Sequence, residues 1–537
     1  MRRVTSLLLS GCLLALPALA AATERPVPRL VEKQGRHALL VDGAPFLILG
    51  AQVNNSSAWP EVLPQVWPAV KAMAANTVEM PVYWEQLEPQ PGVFDFSVVD
   101  TLVAQSRKHD VRLVLLWFAT WKNGSSRYVP LWVKQDQQKF LRMQGADGKW
   151  VDSPSPFSEA TLAADKRAFA ALMRHLKKTD AQRTVIMVQV ENEAGTWGAI
   201  RDHSPAAEKI FTAPVPADVL AAMKTTPKTA NADWKAAFGK DADEYFHAWA
   251  VARFIGEVAA AGKAEYALPL YTNAALRDPI SPGPVGTYES GGPTDNVLPI
   301  WKVAAPALDL LGPDIYMNDY DRVLRVLELY SRPDNPLFIP EISNAAEYAR
   351  FFFPALGQQA IGFAPFGIDS TGYSNFPLGA VKVGEEDLAP FAMNYKVVAP
   401  MMRELAQLSF DGKVKAVAEK KGAPSQSIEL GPWKAQVSYG LPQFGFGNNP
   451  PGNPTPVGRA LIAQLGENEF LVTGFHCRVD FQRTAGSKQQ REYLRVEEGS
   501  YDKGKWKVRR LWNGDQTDWG LNFTEQAQVL RVKLGTY

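Results

Sequence analysis

Cysteine and histidine are scarce, with two and six residues in a chain of 537. Cys12 falls in the N-terminal leader described below. Cys477 is then left without an internal disulfide partner, and core packing has to hold the fold even in an oxidising compartment. Within FLVTGFHCRVDF, Cys477 reads as a small buried hydrophobe rather than a nucleophile, and His476 beside it as structural. An excess of charge of either sign is also missing. Lys+Arg 57 against Asp+Glu 56 gives a formal net charge of +1, which argues against nucleic acid or an anionic membrane as partner and favours a neutral substrate. There is no metal-ligand spacing, no Gly-rich phosphate cradle and no Ser or Cys nucleophile elbow, so no metal or cofactor is implied. Past the leader, no apolar run is long enough to span a bilayer.

What is present is apolar mass. With 46% hydrophobic residues, the chain can bury one large core and a smaller second one. Residues 1–22 read as a secretory signal peptide: Arg2 and Arg3, an apolar run, then the small-residue site Ala18-Leu19-Ala20, with cleavage expected after Ala20. The expected destination is periplasmic or extracellular. A competing reading takes Leu9-Ser10-Gly11-Cys12 as a lipoprotein processing site that would leave a lipid-anchored Cys12.

Eight short, nearly continuous apolar runs are predicted as strands: 46–52, 76–82, 112–118, 184–190, 268–273, 310–317, 336–341 and 360–366. Segments of helical period, such as TLAADKRAFAALMRHLKK and DEYFHAWAVARFIGEVAAAGKA, lie between them. Buried strands alternating with helices indicate a parallel sheet covered on both faces, and eight such units indicate an α/β fold, a (β/α)₈ TIM barrel over residues 23–408. From 409 to 537 the texture becomes strands joined by Gly- and charge-rich turns, read as an all-β sandwich. PQFGFGNNPPGNPTP is a Pro/Gly loop within it. The stretch from Asp202 to about Gly239 reads either as a lid or subsite wall, or as a solvated insertion.

In such a barrel the active site is built at the C-terminal ends of the strands. The fourth strand runs through VIMVQV into Glu191, Asn192 and Glu193; the seventh ends in NPLFIPEIS with Glu341. Strand ends four and seven can face each other across the mouth of an eight-membered ring. Hydrolysis of a glycosidic bond needs such a pair, one acid to protonate the leaving oxygen and a second carboxylate across the anomeric carbon. Tyr316 on the sixth strand is placed to donate a hydrogen bond that keeps Glu341 ionised.

The motifs QVENEAG and PLFIPE resemble the retaining glycosidase clan built on (β/α)₈ barrels, and more closely glycoside hydrolase family 35, the β-galactosidases. LLVDGAPFLILGAQ (39–52), NTVEMPVYWEQLEPQPGVFDFS (76–97) and GTWGA carry the likeness across the barrel. The resemblance implies Glu193 as general acid/base, Asn192 as donor to the sugar 2-hydroxyl, Glu341 as nucleophile and Glu191 as a supporting residue. It also implies a β-galactoside oligosaccharide as substrate, with plant cell-wall side chains of the xyloglucan type as the expected source. Departures set this chain apart. Pro81 stands where common members carry Tyr, Glu85 and Leu87 where they carry Asn and His, and Ala119-Thr120-Trp121 where they carry Ala-Glu-Trp.

Tyr83, Trp84, Trp117, Trp121 and Trp197 fall at or just past predicted strand ends and are expected to offer stacking surfaces to sugar rings. Asn54, Asn55, Asn123, Gly124 and Asn273 are candidate hydroxyl partners there. Two other readings compete: a β-glucosidase or β-glucanase of the same clan, and a noncatalytic carbohydrate-binding protein on the same scaffold. The sandwich is expected to buttress the barrel.

Overall fold

The computed structural model describes residues 25–440, 450–484 and 487–537. The leader, with Cys12 and the Ala18–Ala20 site, and the first half of the Pro/Gly loop lie outside the described residues. Eight parallel strands close into a barrel: β1 (Ile48–Gln52), β2 (Thr77–Tyr83), β3 (Arg112–Lys122), β4 (Val185–Asn192), β5 (Leu270–Ala275), β6 (Leu310–Ile315), β7 (Ile339–Ile342) and β8 (Gly362–Pro365). Each lies within a few residues of its predicted run. Neighbours in sequence are neighbours in the ring, and β8 closes it by pairing with β1. Every residue of β2 and β4 is buried, as expected of strands that face side-chain layers inside and helices outside. No helix among the described residues is long and apolar enough to cross a membrane.

Two helices matter most for the site. The first, α1 (Glu159–Thr179), starts where the Ser158 side chain accepts from the Thr161 amide and ends on Lys177 and Lys178, which suit the negative end of its dipole. Its buried stripe of Leu162, Phe169, Leu172 and Leu176 packs on the barrel, and the same stripe carries one acid, Asp165. The second, α2 (Ala242–Glu265), crosses α1 at Gly262. A Cβ there would stand 2.2 Å from the Phe169 ring, so only glycine permits this approach. The 202–239 stretch folds as three short helices, Pro205–Phe211, Ala217–Ala222 and Trp234–Phe238. It is pinned by the buried Asp202 and by Trp234, which packs edge-on to Phe246 of α2.

The last barrel-side helix, Met402–Phe410, leads into two antiparallel sheets of six and four strands. They enclose a core of Trp433, Tyr439, Phe470, Val479 and Phe481, with Cys477 buried in it. Burial pushes the Cys477 thiol up to about 12, leaving it a packing residue at neutral pH. The sandwich leans on the barrel through Phe353, stacked on Phe475 at 6.1 Å between ring centres, and through Arg459, whose Nε donates to Asn394 Oδ1 at 2.7 Å.

Candidate active site

The chain leaves β4 through two residues in the left-handed backbone region, Glu191 (φ 62°) and Glu193 (φ 42°). Such conformations are costly outside glycine and persist where the surroundings fix them. Here they aim two nearby acids in opposite directions. Glu191 turns outward, where its Oε2 accepts from the Trp121 amide at 2.7 Å and its carboxyl meets Asp165 of α1. Asp165 also accepts from Trp117 Nε1 at 2.9 Å and Thr120 Oγ1 at 2.5 Å. Burial raises both carboxyls, and the Asp165 charge raises Glu191 further, which favours one proton shared by the pair and carried on Glu191.

That pair makes a stability prediction. A carboxyl whose folded pKa is raised contributes stability below its unfolded value, and this is lost as pH rises through the folded value. Glu191→Gln, which still donates to Asp165, is expected to flatten the decline of the melting temperature above the ordinary carboxylate range. Glu191→Ala leaves Asp165 short of a partner and is expected to cost about 1–3 kcal/mol in urea unfolding. Equal melting curves for wild type and both variants across pH would remove the shared proton.

Glu193 turns inward. Its amide donates to Asn273 Oδ1 at 2.8 Å, which ties the end of β4 to β5. Across the mouth, Glu341 on β7 accepts from Gln52 Nε2 of β1 at 3.1 Å and from the Tyr316 hydroxyl just after β6. One oxygen each of Glu193, Glu341 and Asp314 lies within 4.8 Å of the others. Asp314 stands on β6 as register partner of Glu341. These three are the one group of acids, His or Cys close enough to share an ion among the described residues, but Asn273, Gln52 and Tyr316 already engage Asp314 and Glu341. The Asn192 amide, fully buried, sits among Gln189, Asn273 and Asn123 at 2.9, 3.2 and 3.3 Å. Turned over, it accepts from Lys122 Nζ at 2.9 Å.

Desolvation, then the charge of Glu341, pushes Glu193 up to about 7, with Lys122 and Asp314 pulling the other way. A carboxyl poised there can both give and take a proton near neutral pH. Lys122 ends β3 with its Nζ on Asn123 Oδ1 at 2.6 Å and 5.0 Å above the Phe118 ring. Glu289, on the segment after β5, is buried with one oxygen lacking a donor, and burial raises it well above its ordinary value. It approaches so closely that a Cβ on Gly124 (φ 68°) would lie 2.5 Å from its Oε1. Any other residue at 124 would be strained by the left-handed backbone and would displace the Glu289 carboxyl.

The structure brings Glu193, Glu341, Asn192 and Tyr316 together, and leaves Trp197 exposed beside Gly124 at the rim. Four of the expected stacking residues need correction. Trp84 is fully buried with its Nε1 on Glu88 at 2.8 Å, Trp121 packs edge-on against Phe254 of α2, and Tyr83 is buried with its hydroxyl on the Asn55 carbonyl at 2.6 Å. None offers a face to a sugar. Trp117 is likewise buried, on Asp165. The cause lies in β3, whose register against β4 shifts between Trp117 and Lys122; the irregularity sends Trp121 outward to the helices and brings Lys122 to the mouth. Asn54 and Asn273 are committed to Asp369 and Asp314.

Two cavities lie near the strand ends, and one of them reaches the carboxyl cluster through Tyr316. One, of about 410 Å³, is lined by Asn54, Asn55, Tyr128 and Tyr373. Tyr83 stacks between Tyr128 and the exposed Trp59, at 5.5 and 5.7 Å. The other, of about 470 Å³, is lined by Tyr316, Arg322, Tyr348, Phe376 and Leu378. Asp314, Glu289, Lys122 and Gln52 were not singled out from sequence. Asp314 stood in plain view in LLGPDIYM, an acid at the end of an apolar run like the two glutamates.

Residues 38–251 match the family model described as Glycosyl hydrolases family 35, and residues 391–524 match one described as a domain of unknown function, DUF5597. A curated beta-galactosidase from Xanthomonas manihotis is 29% identical over 195 residues, 34% of this chain and 29% of that protein. The chain thus spans less than a third of that relative. Among solved structures, a beta-galactosidase from Rahnella sp. R3 has a TM-score of 0.49 at 17% identity, covering 68% of this chain and 58% of that one. One from Bacillus circulans sp. alkalophilus has a TM-score of 0.48 at 12% identity, covering 67% and 57%.

Proposed function

The chain carries a glycosyl hydrolase family 35 domain over residues 38–251, and from that premise we propose that it is a retaining, exo-acting β-galactosidase. The observation that carries this reading is the spacing of Glu193 and Glu341, with one oxygen of each within 4.8 Å of the other. Retaining enzymes hold their two carboxyl groups about 5–5.5 Å apart, whereas inverting enzymes need about 6.5–9.5 Å to admit a water. Glu341, held by Gln52 and Tyr316, attacks the anomeric carbon as Glu193 protonates the leaving oxygen. Glu193, now a carboxylate, then activates the water that releases the sugar. Asn192 donates to the 2-hydroxyl. In this reading residues 23–408 do the chemistry, residues 409–537 buttress them, and the leader directs export. The cavity that opens beside Tyr316 leaves room for a branched aglycone, as in the terminal galactosyl side chains of xyloglucan-type oligosaccharides.

A β-glucoside reading keeps both glutamates and changes the sugar. It is favoured by Thr120, which is turned away from the cavity onto Asp165, and by Pro81, buried in β2, where common members offer polar side chains. Turnover of paired aryl β-galactoside and β-glucoside substrates by the exported chain separates the two. Galactoside preference is expected, with kcat/KM falling above a basic limb near pH 7 as Glu193 loses its proton. A glucoside preference would refute the sugar and keep the mechanism. A rate that stays level through pH 9 would take the acid role from Glu193.

A further inference from the structure

Asp314 has no part in the mechanism above, yet its surroundings are those of a working residue. It is fully buried, its Oδ2 accepts from Asn273 Nδ2 at 2.6 Å, and its Oδ1 has no donor among the described residues. One oxygen of Asp314 lies within 4.8 Å of one oxygen of Glu193, and Asn273 binds both residues. Two carboxylates packed this closely, with Glu341 beside them and one of the pair sealed from solvent, cannot both stay ionised, so one of them keeps a proton. Glu193 is half-buried at the mouth while Asp314 is sealed beneath it, and the more deeply buried acid is the one that keeps its proton.

Resting on the reading of Glu193 as acid/base, we propose that Asp314 is its positioning residue: protonated in the resting enzyme, it donates a hydrogen bond to one Glu193 oxygen and leaves the other for the leaving group. The same bond stabilises the Glu193 carboxylate once its proton has gone to the aglycone, and the Asp314 proton itself is never transferred. Asn273 holds both partners in place, since its Oδ1 takes the Glu193 amide and its Nδ2 takes Asp314. The direction of the Asp314 shift, well above the carboxylate range through burial and then the charges of Glu341 and Glu193, agrees with this assignment.

Titration of this pair is set by the groups that face it from each side: Glu341 on β7, Lys122 at the end of β3, Glu289 after β5, Tyr271 on β5 and Tyr316 after β6. Two substitutions separate a protonated Asp314 from an ionised one. Asp314→Asn keeps a donor and is expected to hold the basic limb of kcat/KM close to wild type for a galactoside with a poor leaving group. Asp314→Ala removes the donor, so the limb is expected to move up in pH and kcat to fall about 10- to 100-fold. A limb that moves down in both variants would mean that an ionised Asp314 had been repelling the Glu193 charge, and would overturn the proposal. An unmoved limb in Asp314→Ala would overturn it equally.

Infrared difference spectra of wild type against Asp314→Asn, with aspartate carboxyls carrying a carbon-13 label, read the proton without turnover. The band of a protonated carboxylic acid is expected in wild type and missing from the variant, and its absence from wild type overturns the assignment. If the chain cleaves no glycoside yet shows the band, the proposed function fails while the Asp314 proton stands.

Discussion

Glu341→Gly is expected to abolish hydrolysis of every glycoside, good leaving group or poor, because no covalent intermediate can form. The variant leaves Gln52 Nε2 and the Tyr316 hydroxyl in place around a hole the size of a small anion. Azide or formate admitted there attacks the anomeric carbon directly in a single displacement, so the expected product is the α-glycosyl adduct of a β-substrate. Proton NMR of the adduct reads the configuration. Unaltered turnover in Glu341→Gly would take this residue out of the mechanism, and a β-adduct would assign it the other role of the pair.

For Glu193→Ala the loss depends on the leaving group. Departure of a poor aglycone needs its proton, and general acid catalysis supplies about 10²–10⁴-fold; that factor is expected to vanish from kcat/KM with alkyl or sugar aglycones. With dinitrophenolate, which leaves unprotonated, formation of the intermediate on Glu341 is expected to survive. Its hydrolysis then becomes slow, since no base activates water. Azide needs no base, so it is expected to restore turnover and give the β-glycosyl azide by a second inversion. Opposite anomers from the two variants identify the roles independently of any rate. Equal impairment of good and poor leaving groups with no azide rescue would argue against Glu193 as the proton donor.

Both glutamates were legible because a carboxylate that interrupts a fully apolar strand has to be paired or functional, and VIMVQVENE and NPLFIPE present that interruption openly. The barrel itself followed from eight apolar runs spaced by helical segments. The rest of the site depends on which way side chains point. Asp314 and Glu341 are adjacent only through the register of β6 on β7, a pairing that a single chain does not spell out. The aromatic residues mislead for a related reason. A barrel strand has two buried faces, so an aromatic near its end packs under the helices as readily as it lines the mouth, and the irregular pairing of β3 decides for Trp121. Glu191 could be read as a supporting acid, yet its partner Asp165 lies inside a helix whose period shows only an amphipathic stripe.

The contact between Phe353 and Phe475, with the Arg459 to Asn394 bond beside it, bears on how such proteins can be recombined. The helix Glu385–Val398, which supplies Asn394, belongs to the barrel by packing, but the DUF5597 match begins inside it at residue 391. A cut in the short link after Phe410 would strip a cover from Phe353 and leave a buried guanidinium and a buried amide each without its partner. A barrel separated from its sandwich at that link is expected to lose stability, and a gene library that shuffles barrels onto foreign C-terminal domains has to rebuild the seam of Phe353, Asn394, Arg459 and Phe475.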